Sequence, residues 1–166
     1  MFGMLKQKTT VNAVANSALV YYITKYQENL DQWLEQNDIV AAFTHMEHPD
    51  NKYLEFALSS FGLGLLAVNN VFNSKEAGMI FDAIEQDVRT QLGQEILNKI
   101  MIYFDDAARG VNELVPPTHY VVDRLLAYLD VPNEFDGPVF LMKIQSIISQ
   151  VPAPWKYMKK SYRIKY

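Results

Sequence analysis

The sequence predicts an all-α protein, a single-domain irregular or orthogonal helical bundle of about six to eight helices. Three observations carry that expectation. Apolar residues recur at steps of three and four along nearly the whole chain. Pro, Gly, Asn and Asp punctuate these stripes, leaving only short connections between them. The stripes also differ widely in length, which four matched helices would not show.

The first helix reads from Val11, with inward positions Val11, Ala15, Leu19, Tyr22, Tyr26, Leu30 and Trp33. Thr9 or Thr10 is placed to cap its start, and Gln36-Asn37-Asp38 ends it. Asp38 then suits the cap of a short helix, Ile39 to about Glu47, stopped by His48-Pro49. Asp50 opens a third helix, Lys52 to about Phe72. Its centre, Phe61 to Leu66, is apolar on nearly every side, as a buried central helix requires. Gly62 and Gly64 each cost about 1 kcal/mol of helix propensity there, and close approach by a neighbouring helix would explain both.

Asn73 and Glu76 have the spacing of a capping box, ahead of a stripe at Ile80, Ile84, Val88 and Leu92. Gly93 either ends that helix or lets it run on. The next stripe reads Ile96, Ile100, Phe104, Ala107 and Val111. After Val115-Pro116-Pro117, Thr118 is expected to cap a helix with Val122, Leu125 and Leu129 inward, and Val131-Pro132 stops it. Asp136 with Pro138 signals a further helix carrying Phe140, Ile144, Ile147 and Val151. Pro152 and Pro154 set off the last twelve residues. On this reading residues 1–154 form the bundle, and 155–166 form a basic, aromatic segment that docks on it.

That segment is where the charge is uneven. Of 15 Lys and Arg and 19 Asp and Glu, it holds five bases and no acid. The rest keeps ten bases against nineteen acids, a formal −9 against +5. As a helix, the segment would place Lys156, Lys159, Lys160 and Arg163 in one stripe, with Trp155 and Tyr162 on another face. As a strand, Tyr162 and Ile164 would alternate with Arg163. Trp155, Lys156, Lys159, Lys160, Tyr162 and Arg163 are therefore the candidate partner- or anion-binding residues.

Composition narrows the function classes. With 49% apolar and 13% aromatic residues the chain is far from the disordered regime. No Cys is present, which removes disulfides, thiolate nucleophiles and Cys-based metal sites. Asn12, Asn16 and Ser17 make the N-terminus too polar for a signal peptide. The longest near-apolar run, Phe56 to Val68, is 13 residues, short of a membrane span. The expectation is a soluble, cytoplasmic protein.

The motifs are weak. His45, Glu47 and His48, beside Asp50, are imidazole and carboxylate donors close enough to share a metal. Their spacing matches no zinc-peptidase or di-iron pattern, and a polar helix terminus is the preferred explanation. Gly62-Leu-Gly64-Leu-Leu-Ala67 satisfies the dinucleotide fingerprint in letters alone, because helical periodicity runs straight through it and no strand precedes it. Asp105-Asp106 read as a surface ion pair with Arg109. With no catalytic motif and no cofactor implied, the leading expectation is a non-enzymatic helical interaction module: an adaptor, regulator or inhibitor whose acidic surface recognises a partner protein. The alternatives are a bundle holding a small apolar ligand or metal, and binding of nucleic acid or an anionic surface through the basic segment. A protein partner ranks above nucleic acid, and homo-oligomerisation stays open.

Overall fold

A computed structural model describes residues 7–46 and 50–164, with backbone alone at 7–9, 50 and 162–164. In chain order the elements are β1 (Gln7–Thr9), α1 (Val11–Gln36), α2 (Asp50–Leu65), α3 (Val68–Val71), α4 (Ser74–Gln91), α5 (Gln94–Asn112), α6 (Thr118–Tyr128), α7 (Pro138–Ile148), α8 (Trp155–Ser161) and β2 (Tyr162–Ile164). Short 3-10 turns lie at Val40–Phe43 and Asn133–Phe135. The all-α bundle expected from periodicity is the observed architecture. Among the described residues no helix is long and apolar enough to cross a membrane.

α2 is the axis of the bundle and packs against α1, α5, α6 and α7. Residues 55–62 are buried without a break, as its all-round apolar centre requires. Both glycines are sites of close approach. A Cβ on Gly62 would lie 2.6 Å from the Tyr103 Cβ of α5, and one on Gly64 would overlap the Tyr22 hydroxyl of α1. An aromatic seam binds the layers together, with Tyr22 on Phe61, Phe43 on Phe56 and Phe61 on Trp155, at ring-centre separations of 5.6, 5.8 and 6.3 Å.

Local chemistry sets most boundaries. The Thr10 side chain accepts from the Ala13 amide at the start of α1. Asn73 and Glu76 form a complete capping box at α4. Gly93, at φ 93°, separates α4 from α5. α1, α5 and α6 all end in Schellman closures, with Asp38, Leu114 and Asp130 in the left-handed region usually held by glycine. Leu114 is 94% exposed there.

The structure corrects several expected elements. The segment expected as a helix from Ile39 is only the turn Val40–Phe43, which plugs Ala42 and Phe43 into the core. Asp38 closes α1 instead of capping that turn. The helix expected to reach Phe72 breaks after Leu65. Leu66 and Ala67 bond back to Leu63 and Gly64 in 3-10 fashion, and the Gly64 carbonyl also accepts from Trp155. The α5 stripe is rotated: Leu97, Ile100, Tyr103, Ala107 and Gly110 are buried, while Val111 is half exposed. Phe104 turns toward Phe81 of α4 instead. Thr118 is the first helical residue and not a side-chain cap, and Gly137 takes the cap position expected of Asp136.

The two ends of the described chain meet. β1 and β2 pair in parallel, setting Gln7 level with Tyr162, Lys8 with Arg163 and Thr9 with Ile164.

Candidate interaction surfaces

The basic C-terminal segment uses both geometries that its sequence allows, a short helix followed by a strand. Trp155, expected at a binding surface, is wholly buried. Its indole Nε1 donates to the Gly64 carbonyl at 2.8 Å, and its ring lies between Phe61 and Phe72. Met158 is buried beside it. These two side chains fasten α8 to the bundle and are out of a partner's reach.

The cations divide by position. Lys159 turns inward, donating to the Val71 carbonyl, with its Nζ 3.9 Å from Glu76 and 5.4 Å above the Phe72 ring. Lys156 and Lys160 are exposed and make no ion pair with any described residue. Tyr157 stands out at 71% exposure. The side chains of Tyr162 and Arg163 lie outside the described residues, although backbone pairing puts Arg163 opposite Lys8.

Of the expected metal ligands, Glu47 and His48 lie outside the described residues. His45 is exposed near the end of the Val40–Phe43 turn. Among the described residues no group of three His, Cys, Asp or Glu side chains is arranged to hold a metal ion. The Gly62–Ala67 fingerprint is inside and just beyond a continuous helix, so its amides are not gathered around an anion. Arg109 pairs with Glu113 at 2.8 Å, not with Asp105 or Asp106. Asp106 instead accepts from Arg124 of α6 at 3.0 Å.

One polar cluster has no counterpart in the sequence reading. Glu55 of α2 is 5% exposed and ion-paired to Lys99 of α5. It also accepts from the Tyr103 hydroxyl at 3.0 Å. Lys99 lies 5.0 Å above the Tyr128 ring, which meets Tyr103 edge to face. Burial first, and the Glu55 carboxylate second, push the Tyr103 phenol far above its ordinary range, so it stays protonated and donates to Glu55. Nothing in the apolar spacing around residue 55 marks this carboxylate, because its partners are 44 and 48 residues away.

Besides a cleft of about 460 Å³ at Ile23, Gln27, Tyr53 and Leu54, further concavities flank α1 and its neighbours. One of about 120 Å³ lies between α1 and α4, walled by Leu19, Val20, Ile23, Ile84 and Leu92. A second, of about 300 Å³, is bounded by Tyr22, Ser60, Asn70, Ile148 and Pro152. The third, about 370 Å³, runs between α1 and α8 along Ser17, Tyr21, Pro152, Pro154 and Tyr157. None of them reaches Glu55.

A further surface feature is α7. It buries Ile144, Ile147 and Ile148 and leaves Val139 and Met142, one turn apart, 68% and 67% exposed. Half-buried Phe135 and Phe140 pack together beside them, ring centres 5.6 Å apart. Exposed Asp130, Glu134 and Asp136 precede the helix, and no base occurs between Asp130 and Met142. The signal was legible: α7 has ten uncharged residues and one Lys, more apolar surface than a single inward stripe can use.

Comparison with protein-family models, with curated proteins and with solved structures finds no significant match to this chain.

Proposed function

We propose that the protein is a non-enzymatic helical interaction module whose acid-rimmed α7 face docks a partner protein carrying an apolar anchor and basic flanks. The observation that carries this reading is the pair Val139 and Met142, two large apolar side chains two-thirds exposed on one helix. Isolated exposed apolar residues are ordinary, whereas neighbouring ones on one helix face mark docking surfaces; acids lie ahead of this face, and Lys143 stands one turn beyond Val139. The rim of Asp130, Glu134 and Asp136 selects the partner's charge and speeds encounter, while the apolar centre supplies affinity. A cytoplasmic setting belongs to this proposal, and a cysteine-free chain is compatible with it.

The test is a photo-crosslinking amino acid at Met142 in the native host, with crosslinked peptides identified by mass spectrometry. The expected product joins Met142 to a basic, apolar segment of one other protein. Its yield should drop about tenfold in Val139→Asp, with the melting temperature preserved. Crosslinks only to a second copy would replace the partner with self-association, and no crosslink to protein would overturn the reading.

A further inference from the structure

The molecule has a second surface, of opposite charge. Residues 1–27 contain no acidic side chain, the first being Glu28. Parallel pairing of β1 with β2 brings residues 7–9 of this acid-free stretch against the acid-free C-terminal segment and levels Lys8 with Arg163. On α8, Lys156, Tyr157 and Lys160 fall within about 100° of arc. All three are exposed, and the two lysines have no anionic partner among the described residues. Among the described side chains of the segment, Lys159 is the one that reaches a carboxylate, that of Glu76.

Next to them lies the groove of about 370 Å³ between α1 and α8, walled by Tyr21, Pro152, Pro154 and Tyr157. The face of α1 beyond it, Ala13, Asn16, Ser17 and Val20, is exposed and uncharged. We infer that this groove takes an acidic segment of a protein partner, inserting one aromatic or branched apolar side chain between Tyr21 and Tyr157 while its carboxylates meet Lys156 and Lys160. A concave, proline-walled slot suits a single anchor side chain. An anionic bilayer would call for a broad face with several inserted apolar residues, and Tyr157 is one. A nucleic-acid strand would need a track of phosphate contacts and successive stacking rings.

Fluorescence anisotropy of the full chain tests this with a short labelled peptide of Glu and Asp bearing a central Phe-Leu pair. Expected is saturable binding that weakens about tenfold in Lys156→Glu/Lys160→Glu and comparably in Tyr157→Ala. The same peptide with Ser in place of Phe-Leu should also lose about tenfold. Val139→Asp should leave binding unchanged, which separates this surface from the α7 face. Circular dichroism of the variants, all of exposed residues, checks that each remains folded. Absent binding, or binding indifferent to these variants, overturns the inference. So does preferential binding to phosphatidylserine–phosphatidylcholine vesicles or to a single-stranded oligonucleotide.

Discussion

The Tyr22 hydroxyl occupies the space that a Cβ on Gly64 would need, and the ring Cζ would stand only 3.1 Å from that carbon. α1 and α2 therefore touch through a missing side chain. Tyr22 is 1% exposed, and burial, with smaller contributions from Tyr26 and Tyr21, pushes its ionisation far above the usual phenol range. Gly64→Ala is expected to destabilise the fold by about 1–2 kcal/mol, because overpacking outweighs the gain of about 1 kcal/mol in helix propensity. In a Tyr22→Phe background the same substitution should cost clearly less. Urea denaturation of the four-member cycle measures the difference, and strict additivity would show that the hydroxyl is not the obstruction.

Glu55 gives a second prediction, about a charge inside the core. Glu55→Ala leaves Lys99 without its carboxylate and the buried Tyr103 hydroxyl without an acceptor. The expected cost is about 3–5 kcal/mol. Replacing the whole cluster together, Glu55→Leu with Lys99→Met and Tyr103→Phe, should recover most of it, since no desolvated polar group remains. A single-variant loss below about 1 kcal/mol in chemical denaturation would show that the pair contributes little.

Asp31 ties α1 to the start of α2, and its effect is set by pH. Lys52 donates to its carboxylate at 2.8 Å and Tyr53 donates to the other oxygen. Hydrogen bonding from Lys52 first, and from Tyr53 second, holds its pKa below the ordinary carboxylate value. A carboxylate with a lowered folded pKa contributes its full stability above the unfolded pKa, near 4, and loses it as pH falls through the folded value. Stability from this contact should therefore be flat from neutrality to about pH 5 and decline in more acid solution. Lys52→Met should move the Asp31 midpoint, followed by carboxyl carbon resonances, up toward the ordinary range, with the Tyr53 bond retaining part of the lowering. An unmoved midpoint would assign the lowering to something other than Lys52.

How much of this could be read from the sequence depends on how local each cause is. The capping box at Asn73 is written within a few residues and stands where spacing puts it, while Gly93 left a stop or a continuation open and the structure takes the stop. The rotation of α5 is not local. Tyr103 faces inward because Glu55 and the bare Gly62 await it on α2, and a neighbouring Ile96–Phe104 stripe offers equal apolar content. The same holds for the break after Leu65, which coincides with a carbonyl shared with Trp155, ninety-one residues away. Of the candidate site, the charge asymmetry was plain in composition. Which bases turn inward was not, since burial of Trp155 fixes the rotation of α8 and only then sends Lys159 toward Glu76.

That dependence makes Trp155 the residue on which placement of the basic segment turns. Removing its indole takes away the bond to Gly64 and the contacts with Phe61 and Phe72. Trp155→Ala is expected to cost about 3–5 kcal/mol, and Trp155→Phe, which loses the donor but keeps most of the apolar surface, about 1–2 kcal/mol. The loss should be local before it is global. α8 is seven residues long, too short to persist without an anchor, and the two-strand ladder beyond it is marginal on its own. Native-state hydrogen exchange in Trp155→Phe should show protection falling through residues 156–164 while the α2 and α5 amides stay protected. Uniform loss across the chain would mean that α8 belongs to the same cooperative unit as the central helices.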